Sequence, residues 1–310
     1  MHVCLDIRKV DFQPFDKPVV TLGSFDGVHQ GHQVIIKRLI KKSKEKKRTG
    51  VVVTYEPHPQ SVVAPADAPG LLTTLEEKLK LFEELGVEET VVMNFDEQLK
   101  EYSAEKFVEK ILVGKLNVGD LVVGDDHAFG KNRNGRIDLL KEVSSKHKFD
   151  LEVVSALYVD DVRVSSSRIR KALKAGEFAQ AITMLGHSYP VTGSVIRGKG
   201  RGKSLDYPTL NLEVSPRKLL PPDGVYSAMV QLEDKSYVGM MYIGPKLTFE
   251  EESRSVEVHV FGLERDIVDE KVEVLVERWI REPMKFVDAK QLKDQLRSDE
   301  KTIKQLFSNR

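Results

Sequence analysis

Two patterns of apolar and polar residues divide the chain. Up to about residue 157, short runs rich in apolar and β-branched residues alternate with stretches in which apolar residues recur every three or four positions. The runs predict strands and the stretches predict amphipathic helices, because each spacing lets an element bury one side. The predicted strands are residues 19–25, 51–55, 90–95, 121–124 and 151–157, and the predicted helices lie near residues 32–48, 75–85, 103–113 and 136–146.

This alternation predicts an α/β fold, a doubly wound parallel sheet with helices on both faces. Ligands of such sheets bind beyond the carboxyl ends of the strands, so the motifs that follow strands are candidate sites. Ser165, Ser166 and Ser167 offer hydroxyl caps to a further helix, and Gly176 and Gly186 end two short helices. We therefore predict a first domain over residues 1–186.

After Pro190 the strand-like runs follow one another without helices between them. Turn residues separate these runs, which favours a small antiparallel β-barrel. The last segment, residues 288–307, carries a helical apolar stripe that would lie against the barrel. We predict a second domain over residues 187–310, with strands at residues 191–196, 225–232, 237–243, 256–261 and 272–279.

Composition supports two cores and limits the classes of partner. The chain has 310 residues, with 48 Lys and Arg against 48 Asp and Glu. Balanced charge predicts neither nucleic acid nor an anionic membrane as a partner, and no obligate protein partner is evident. The single cysteine, Cys4, excludes an internal disulfide, and no apolar run approaches the length of a membrane span. These features predict a cytoplasmic protein that binds small molecules.

The junction of the first predicted strand and helix is the first candidate site. A phosphate there would meet unpaired backbone N–H groups and the positive end of the helix dipole. His29 and His32 are three residues apart, so both can face one pocket and stabilise charge on phosphorus as pyrophosphate leaves. By themselves they are at least as typical of a capped helix with surface histidines. A third ligand for a metal ion is not evident.

Residues 23–32, Gly-Ser-Phe-Asp-Gly-Val-His-Gln-Gly-His, resemble the first motif of the prokaryotic FAD synthetase family. Three further family motifs follow in order: Tyr-Glu-Pro-His-Pro at 55–59, Val-Gly-Asp-Asp-His-Ala-Phe-Gly at 123–130 and Val-Ser-Ser-Ser-Arg-Ile-Arg at 164–170. Each alone is typical of an ordinary turn, strand exit or helix cap. Four motifs in one order, each at a predicted element end, make coincidence improbable.

This resemblance implies transfer of AMP from ATP to FMN, which forms FAD and releases pyrophosphate with the help of Mg²⁺. It implies catalytic roles for His29, His32 and Arg168. The implied ATP-binding residues are Gly23, Ser24, Phe25, Asp26, Gly31, Gly124, Asp126, Ser166 and Ser167, and the implied flavin-binding residues are Pro57, His58, Pro59 and Phe129. The departures are mild: His127 replaces a usual phenylalanine, Asp126 a common amide and Ser167 a threonine.

In this family a riboflavin kinase barrel follows, and the resemblance continues into it. Residues 193–203 look like its phosphate flap, which implies ATP binding by Gly198, Gly200, Arg201 and Gly202. The sequence Pro-Thr-Leu-Asn at 208–211 matches the family's Mg²⁺ motif, which implies Thr209 and Asn211 as ligands. Glu257 matches the general base for the ribityl hydroxyl, although it is equally typical of a solvent-facing residue on an alternating strand.

Three departures in the barrel are heavier. Asp206 and Tyr207 replace Gly-Phe, Lys246 and Leu247 replace Arg-Pro, and Val268 and Asp269 replace Tyr-Gly. Loss of a glycine, a planar arginine and an aromatic side chain predicts that kinase activity is weakened or absent. Two other functions stay open: an adenylyl- or cytidylyltransferase of the same superfamily acting on another phosphate, and a non-catalytic flavin sensor.

Overall fold

The computed structural model describes residues 1–10, 14–131, 134–198, 207–246, 251–265 and 267–308. It forms two compact units. The first contains residues 1–70 and 78–165, and the second contains residues 71–77 and 166–310. A seven-residue segment from the first half of the sequence therefore belongs to the second unit.

The first unit is built on a six-stranded parallel sheet in the order β1-β4-β3-β2-β5-β6. This confirms the predicted α/β class. The strands are β1 (His2–Leu5), β2 (Val19–Leu22), β3 (Gly50–Glu56), β4 (Glu89–Asn94), β5 (Asp120–Gly124) and β6 (Asp150–Val154). The α-helices up to β6 are α1 (Gln30–Lys46), α2 (Pro59–Val63), α3 (Leu75–Glu84), α4 (Glu97–Lys100), α5 (Ala104–Phe107) and α6 (Ile137–His147).

Several elements of this unit differ from prediction, among them the short helices α2 and α4, which were not predicted. Strand β1 was not predicted, because it has only four residues at the sheet edge and its first and last side chains are exposed. The predicted helix at 103–113 is α5 followed by a π-helical turn at Val108–Val113. A short hairpin of β7 (Tyr158–Val159) and β8 (Val162–Arg163) follows the sheet.

Apolar side chains fill both faces of the sheet. Val51 and Val53 of β3 lie in one cluster with Phe107, while Val52, between them in sequence, packs with Ile36 of α1 in the other. Burial on both faces explains why the central strands form continuous apolar runs in the sequence. These cores fix the positions of the loops at the strand ends.

The second unit contains a closed antiparallel barrel in the order β10-β13-β12-β11-β14-β9, as predicted. Strand β10 was not predicted, because it is short and follows a glycine-rich stretch. The elements are α7 (Ser166–Lys174), α8 (Phe178–Leu185), β9 (Tyr189–Ile196), β10 (Leu210–Val214), β11 (Gly224–Leu232), β12 (Lys235–Lys246), β13 (Glu251–Val260), β14 (Lys271–Arg281) and α9 (Ala289–Ser308). Helix α9 packs on the barrel through buried Ile303.

A buried ion pair ties residues 71–77 to the barrel. The Lys218 ammonium lies 2.7 Å from an oxygen of the Glu77 carboxylate, and both side chains are fully buried. The other Glu77 oxygen accepts from the backbone N–H of Thr192 in β9 at 2.8 Å. Lys218 also donates to the carbonyl of Leu72 at 2.6 Å. The pair is therefore fully enclosed and well satisfied by hydrogen bonds.

We expect Glu77→Gln to lower the free energy of unfolding of the second unit by about 3–5 kcal/mol, because it leaves the Lys218 charge buried without a counter-charge. The matched control is Glu76→Gln, since Glu76 pairs with Lys271 at a site where both side chains are half exposed. Such a pair contributes about 0–1 kcal/mol. Urea unfolding of both variants checks the prediction, and equal effects would contradict it.

Among the helices of the described residues, none combines the length and the apolar character needed to cross a membrane.

Candidate active sites

The loop between β2 and α1 has an unusual backbone. Phe25 and Val28 adopt left-handed conformations, with φ of 47° and 40°. Such a conformation costs on the order of 1–3 kcal/mol, and is rare for a β-branched residue such as Val28. Both side chains are buried in the core beside α1. Their burial therefore holds the loop in one strained shape.

His29 and His32 form a stacked pair at the start of α1. Their ring centroids are 3.5 Å apart and the planes differ by 17°. His29 Nδ1 accepts from the backbone N–H of His32 at 3.3 Å, so His29 caps the helix. This hydrogen bond assigns the proton of neutral His29 to Nε2, which is then a donor. The cap is real, but His29 is only 6% exposed and is not a surface residue.

The environment of His32 favours its neutral form. Burial lowers the pKa of His32 well below its usual range, and the neighbouring His29 and Lys78 lower it further. The edge of its ring meets Phe25 at 5.2 Å. Among the described residues, its buried Nδ1 atom has no hydrogen-bond partner. A buried nitrogen without a partner calls for an explanation, and a ligand bound beside the helix start would supply one.

The loop brings together the residues predicted to bind ATP in the first motif. A Cβ at Gly31 would lie 3.2 Å from the His29 ring, so a larger residue would press on the stacked pair. Asp26 is buried, and the carbonyl of Ser24 accepts from the Thr54 hydroxyl at 3.2 Å. The predicted site residues that lie in this loop or in the first turn of α1 are Gly23, Ser24, Phe25, Asp26, His29, Gly31 and His32.

Two other predicted motifs follow strands that flank β2 in the sheet. The loop after β3 starts α2: His58 caps it by accepting from the Gln60 N–H at 3.2 Å, and Pro59 occupies its first turn. Pro57 precedes this cap. Because β3, β2 and β5 are parallel neighbours, their following loops emerge at one edge.

The loop after β5 starts at Gly124. Asp126 pairs with Arg163 at 3.2 Å, and Asp125 pairs with the same guanidinium at 2.7 Å. Phe129 is buried and packs on Phe107, with ring centroids 5.6 Å apart. The aromatic ring predicted to meet flavin thus lies in the core, and its role in flavin binding stays a prediction.

The last motif of the first predicted domain forms the start of α7. Ser166 and Ser167 lie in its first turn, the Arg168 side chain is exposed and Arg170 is buried. Helix α7 belongs to the second compact unit. The approach of Arg168 to the triphosphate beside His29 stays a prediction.

The predicted kinase residues meet where β10 pairs with β13. Asn211 lies opposite Glu257 in the strand register. The Thr209 hydroxyl donates to one Glu257 oxygen at 3.2 Å, and the Ser255 hydroxyl donates to the other at 3.1 Å. Glu257 is therefore held in place by two hydroxyl groups, and Ser255 is a contact that the motif search missed. Gly200, Arg201 and Gly202 lie outside the described residues.

Comparisons with known proteins match both parts of the chain to known families. The FAD synthetase family matches residues 13–168 and the riboflavin kinase family matches residues 185–307. A bifunctional riboflavin kinase/FMN adenylyltransferase of Escherichia coli K12 is 32% identical over 99% of this chain and 98% of its own. The enzymes of the same description from Bacillus subtilis 168 and Buchnera aphidicola of Schizaphis graminum are 34% and 35% identical, over 94% and 93% of this chain and 93% and 94% of their own.

The chain belongs to the bifunctional riboflavin kinase/FMN adenylyltransferase family. A crystal structure described as a macrolide-efflux protein from Streptococcus pneumoniae has the same fold, with a TM-score of 0.84 and 29% identity over 97% of this chain and 98% of that one. The resemblance seen in the four sequence motifs is thereby confirmed, and both functional halves of the family are present.

The family departures in the barrel are only partly within the described residues. Asp206, residues 247–249 and Asp266 lie outside them. Tyr207 is buried, and its hydroxyl donates to Glu300 of α9 at 2.9 Å. Burial and this hydrogen bond raise the pKa of Tyr207. The added hydroxyl thus has a partner, so Tyr207 fits where the family usually has phenylalanine.

Lys78 is a residue of the first site, at the loop after β2, that the motifs did not reveal. It lies on α3, is only 3% exposed and donates to the Thr54 hydroxyl at 3.2 Å. Burial lowers the pKa of Lys78, while Asp26 and Glu56 oppose that shift. One signal was available in the sequence: Leu75, Lys78 and Phe82 follow helical core spacing, so a lysine occupies an apolar position.

We expect Gly198→Ala to reduce riboflavin phosphorylation by about a hundredfold. A Cβ at Gly198 would lie 2.1 Å from the Asn211 side-chain nitrogen, so Asn211 must move out of the predicted kinase centre. Misplacement of about 1 Å can cost this much. The assay measures FMN formed from riboflavin. Ser194→Ala, at an exposed position of β9, the strand that precedes Gly198, is the control, and wild-type phosphorylation by the glycine variant would refute the prediction.

Proposed function

We propose that this chain phosphorylates riboflavin to FMN in its barrel and adenylates FMN to FAD at the loop after β2. The observation that carries the adenylyl-transfer half is the stacked pair of His29 and His32 at the helix start, beyond the carboxyl end of a central parallel strand. We further propose that the functional boundary lies between residues 186 and 187, in a cytoplasmic enzyme.

In adenylyl transfer, a phosphate oxygen of FMN attacks the α-phosphorus of ATP. The bond from that phosphorus to the bridging oxygen breaks, and pyrophosphate leaves. Negative charge develops on the phosphoryl oxygens, where the Nε2–H of His29 and the N-terminus of α1 are donors. Arg168, with Ser166 and Ser167, would hold the β- and γ-phosphates, and the loops after β3 and β5 would hold flavin and adenosine.

In the kinase reaction, Glu257 would take the proton of the ribityl hydroxyl as it attacks the γ-phosphorus and ADP leaves. Hydroxyl and amide oxygens of Thr209 and Asn211 suit Mg²⁺ shared with substrate phosphates. The Thr209 hydroxyl donates a hydrogen bond to Glu257, so the lone pairs of the Thr209 oxygen stay available to a cation. Bound Mg²⁺ would neutralise phosphate charge.

This arrangement supports a working kinase and weighs against the weakened kinase expected from the three departures. In the described residues, no group of three or more His, Cys, Asp or Glu side chains could hold a metal ion.

The test supplies ATP and Mg²⁺ with either FMN or riboflavin, and follows flavins by chromatography together with pyrophosphate. We expect FMN to give FAD and an equal amount of pyrophosphate, and riboflavin to give FMN and then FAD. FMN binding without pyrophosphate release would favour the flavin sensor. Pyrophosphate release with another phosphate substrate only would favour a different transferase, and FAD from FMN but no FMN from riboflavin would show a lost kinase.

A further inference from the structure

Lys78 is a buried lysine near the stacked histidines, at a position where core packing alone would favour an apolar residue. A lysine in the interior loses the hydration of its ammonium, which destabilises the fold unless charges and hydrogen bonds compensate. Lys78 occupies a position on α3 that a leucine would fill at no such cost, directly in line with Leu75 and buried Phe82.

The contacts of Lys78 lead to the strained loop. Its ammonium donates to the hydroxyl of Thr54 in β3, and that hydroxyl donates to the carbonyl of Ser24. Thr54 is fully buried. A continuous chain of hydrogen bonds thus runs from α3 through β3 to the loop that carries His29 and His32.

The Lys78 ammonium interacts with two acidic residues and with His32. Asp26 of the loop and Glu56 of β3 attract its ammonium, and Asp26 is buried. The ammonium and His29 both disfavour a charge on His32, and Phe25, whose ring packs against that of His32, is apolar.

We propose that Lys78 is a positioning residue for adenylyl transfer: its ammonium fixes the loop after β2 through Thr54 and adds a positive charge next to the stacked histidines. That charge disfavours protonation of His32, so the ring meets the nucleotide as a neutral hydrogen-bonding imidazole that remains stacked on His29. Two imidazolium rings 3.5 Å apart would repel each other and disturb the pair. The inference rests on the proposed function of this loop.

The test is an NMR titration of histidine ring signals in the whole protein, with His32 assigned by the signal lost in His32→Asn. In Lys78→Met we expect the pKa of His32 to rise by about one unit or more, and kcat for FAD formation from FMN to fall about tenfold or more with little change in KM for ATP. Lys78→Arg, which keeps the charge, should keep the low pKa of His32.

Thr54→Val separates the two parts of the proposal, and it serves if Lys78→Met does not fold. It keeps the charge of Lys78 but removes the link to Ser24, so kcat should fall while the pKa of His32 stays low. Lys80→Met, an exposed lysine on the same helix, is the control and should change neither quantity.

The proposal is overturned if a folded Lys78→Met leaves the His32 titration unchanged, or if Thr54→Val keeps full kcat. The titration needs no turnover. If the wild-type protein released no pyrophosphate with FMN, the proposed adenylyl transfer would be wrong, and the titration would still test the effect of Lys78 on His32.

Discussion

His29→Asn should lower the rate of FAD formation from FMN by about a hundredfold to a thousandfold. Asparagine is a good helix cap, so its side-chain oxygen can still accept from the backbone N–H of His32 and α1 should keep its stability. What is lost is the imidazole whose Nε2–H points away from the cap. Removing one donor that stabilises developing charge typically costs this much in kcat. Pyrophosphate release under saturating ATP and FMN measures the effect.

Two controls separate chemistry from folding in this experiment. The same variant should still convert riboflavin to FMN, because that reaction is assigned to the barrel. His2→Asn replaces an exposed histidine on edge strand β1 and should leave FAD formation unchanged. A fully active His29→Asn enzyme would remove His29 from the catalytic group and leave it only its role as a cap.

Glu257→Gln should reduce phosphorylation of riboflavin by about a hundredfold to ten-thousandfold, the usual contribution of a general base. The amide is close to the carboxylate in shape and can still hydrogen-bond with the Thr209 and Ser255 hydroxyls, so the local packing should persist. It cannot take a proton from the ribityl hydroxyl. The measurement is FMN formed from riboflavin, with FAD formed from FMN assayed in parallel.

This variant should appear defective only when riboflavin is the starting flavin, and adding FMN should restore FAD production. The matched control is Glu213→Gln, an exposed carboxylate on neighbouring β10. If Glu257→Gln phosphorylates riboflavin at the wild-type rate, the solvent-facing interpretation of Glu257 is correct and the base must be sought elsewhere.

The sheet was predictable because its strands are buried on both faces. Val51, Val52 and Val53 all lie in cores, so apolar residues follow one another without a polar break. Strand β1 gave no such signal, since Leu5 is 70% exposed and the strand pairs with a neighbouring strand, β4, on one side only. Strand β10 was missed because it is short and carries no continuous apolar run: it has five residues, with polar Asn211 and exposed Glu213 among them.

The candidate sites were predictable as far as they are local in sequence. His29 and His32 are three residues apart at one helix start, so their spacing indicated shared surroundings, and Thr209 and Asn211 fall within one short family motif. Lys78 enters the first site through the packing of α3, 46 positions after His32, and no short motif records such a contact. The relation of Arg168 to the histidines remains a prediction for the same reason.

The seven residues that cross from one unit to the other bear on how such an enzyme could be divided. A gene shortened to encode residues 187–310 would keep Lys218 but lack Glu77, its partner in the ion pair, and the Leu72 carbonyl, which accepts a hydrogen bond from it. A free-standing kinase descended from this chain would therefore need an apolar replacement for Lys218, or a new acidic residue beside it, before the split could be tolerated.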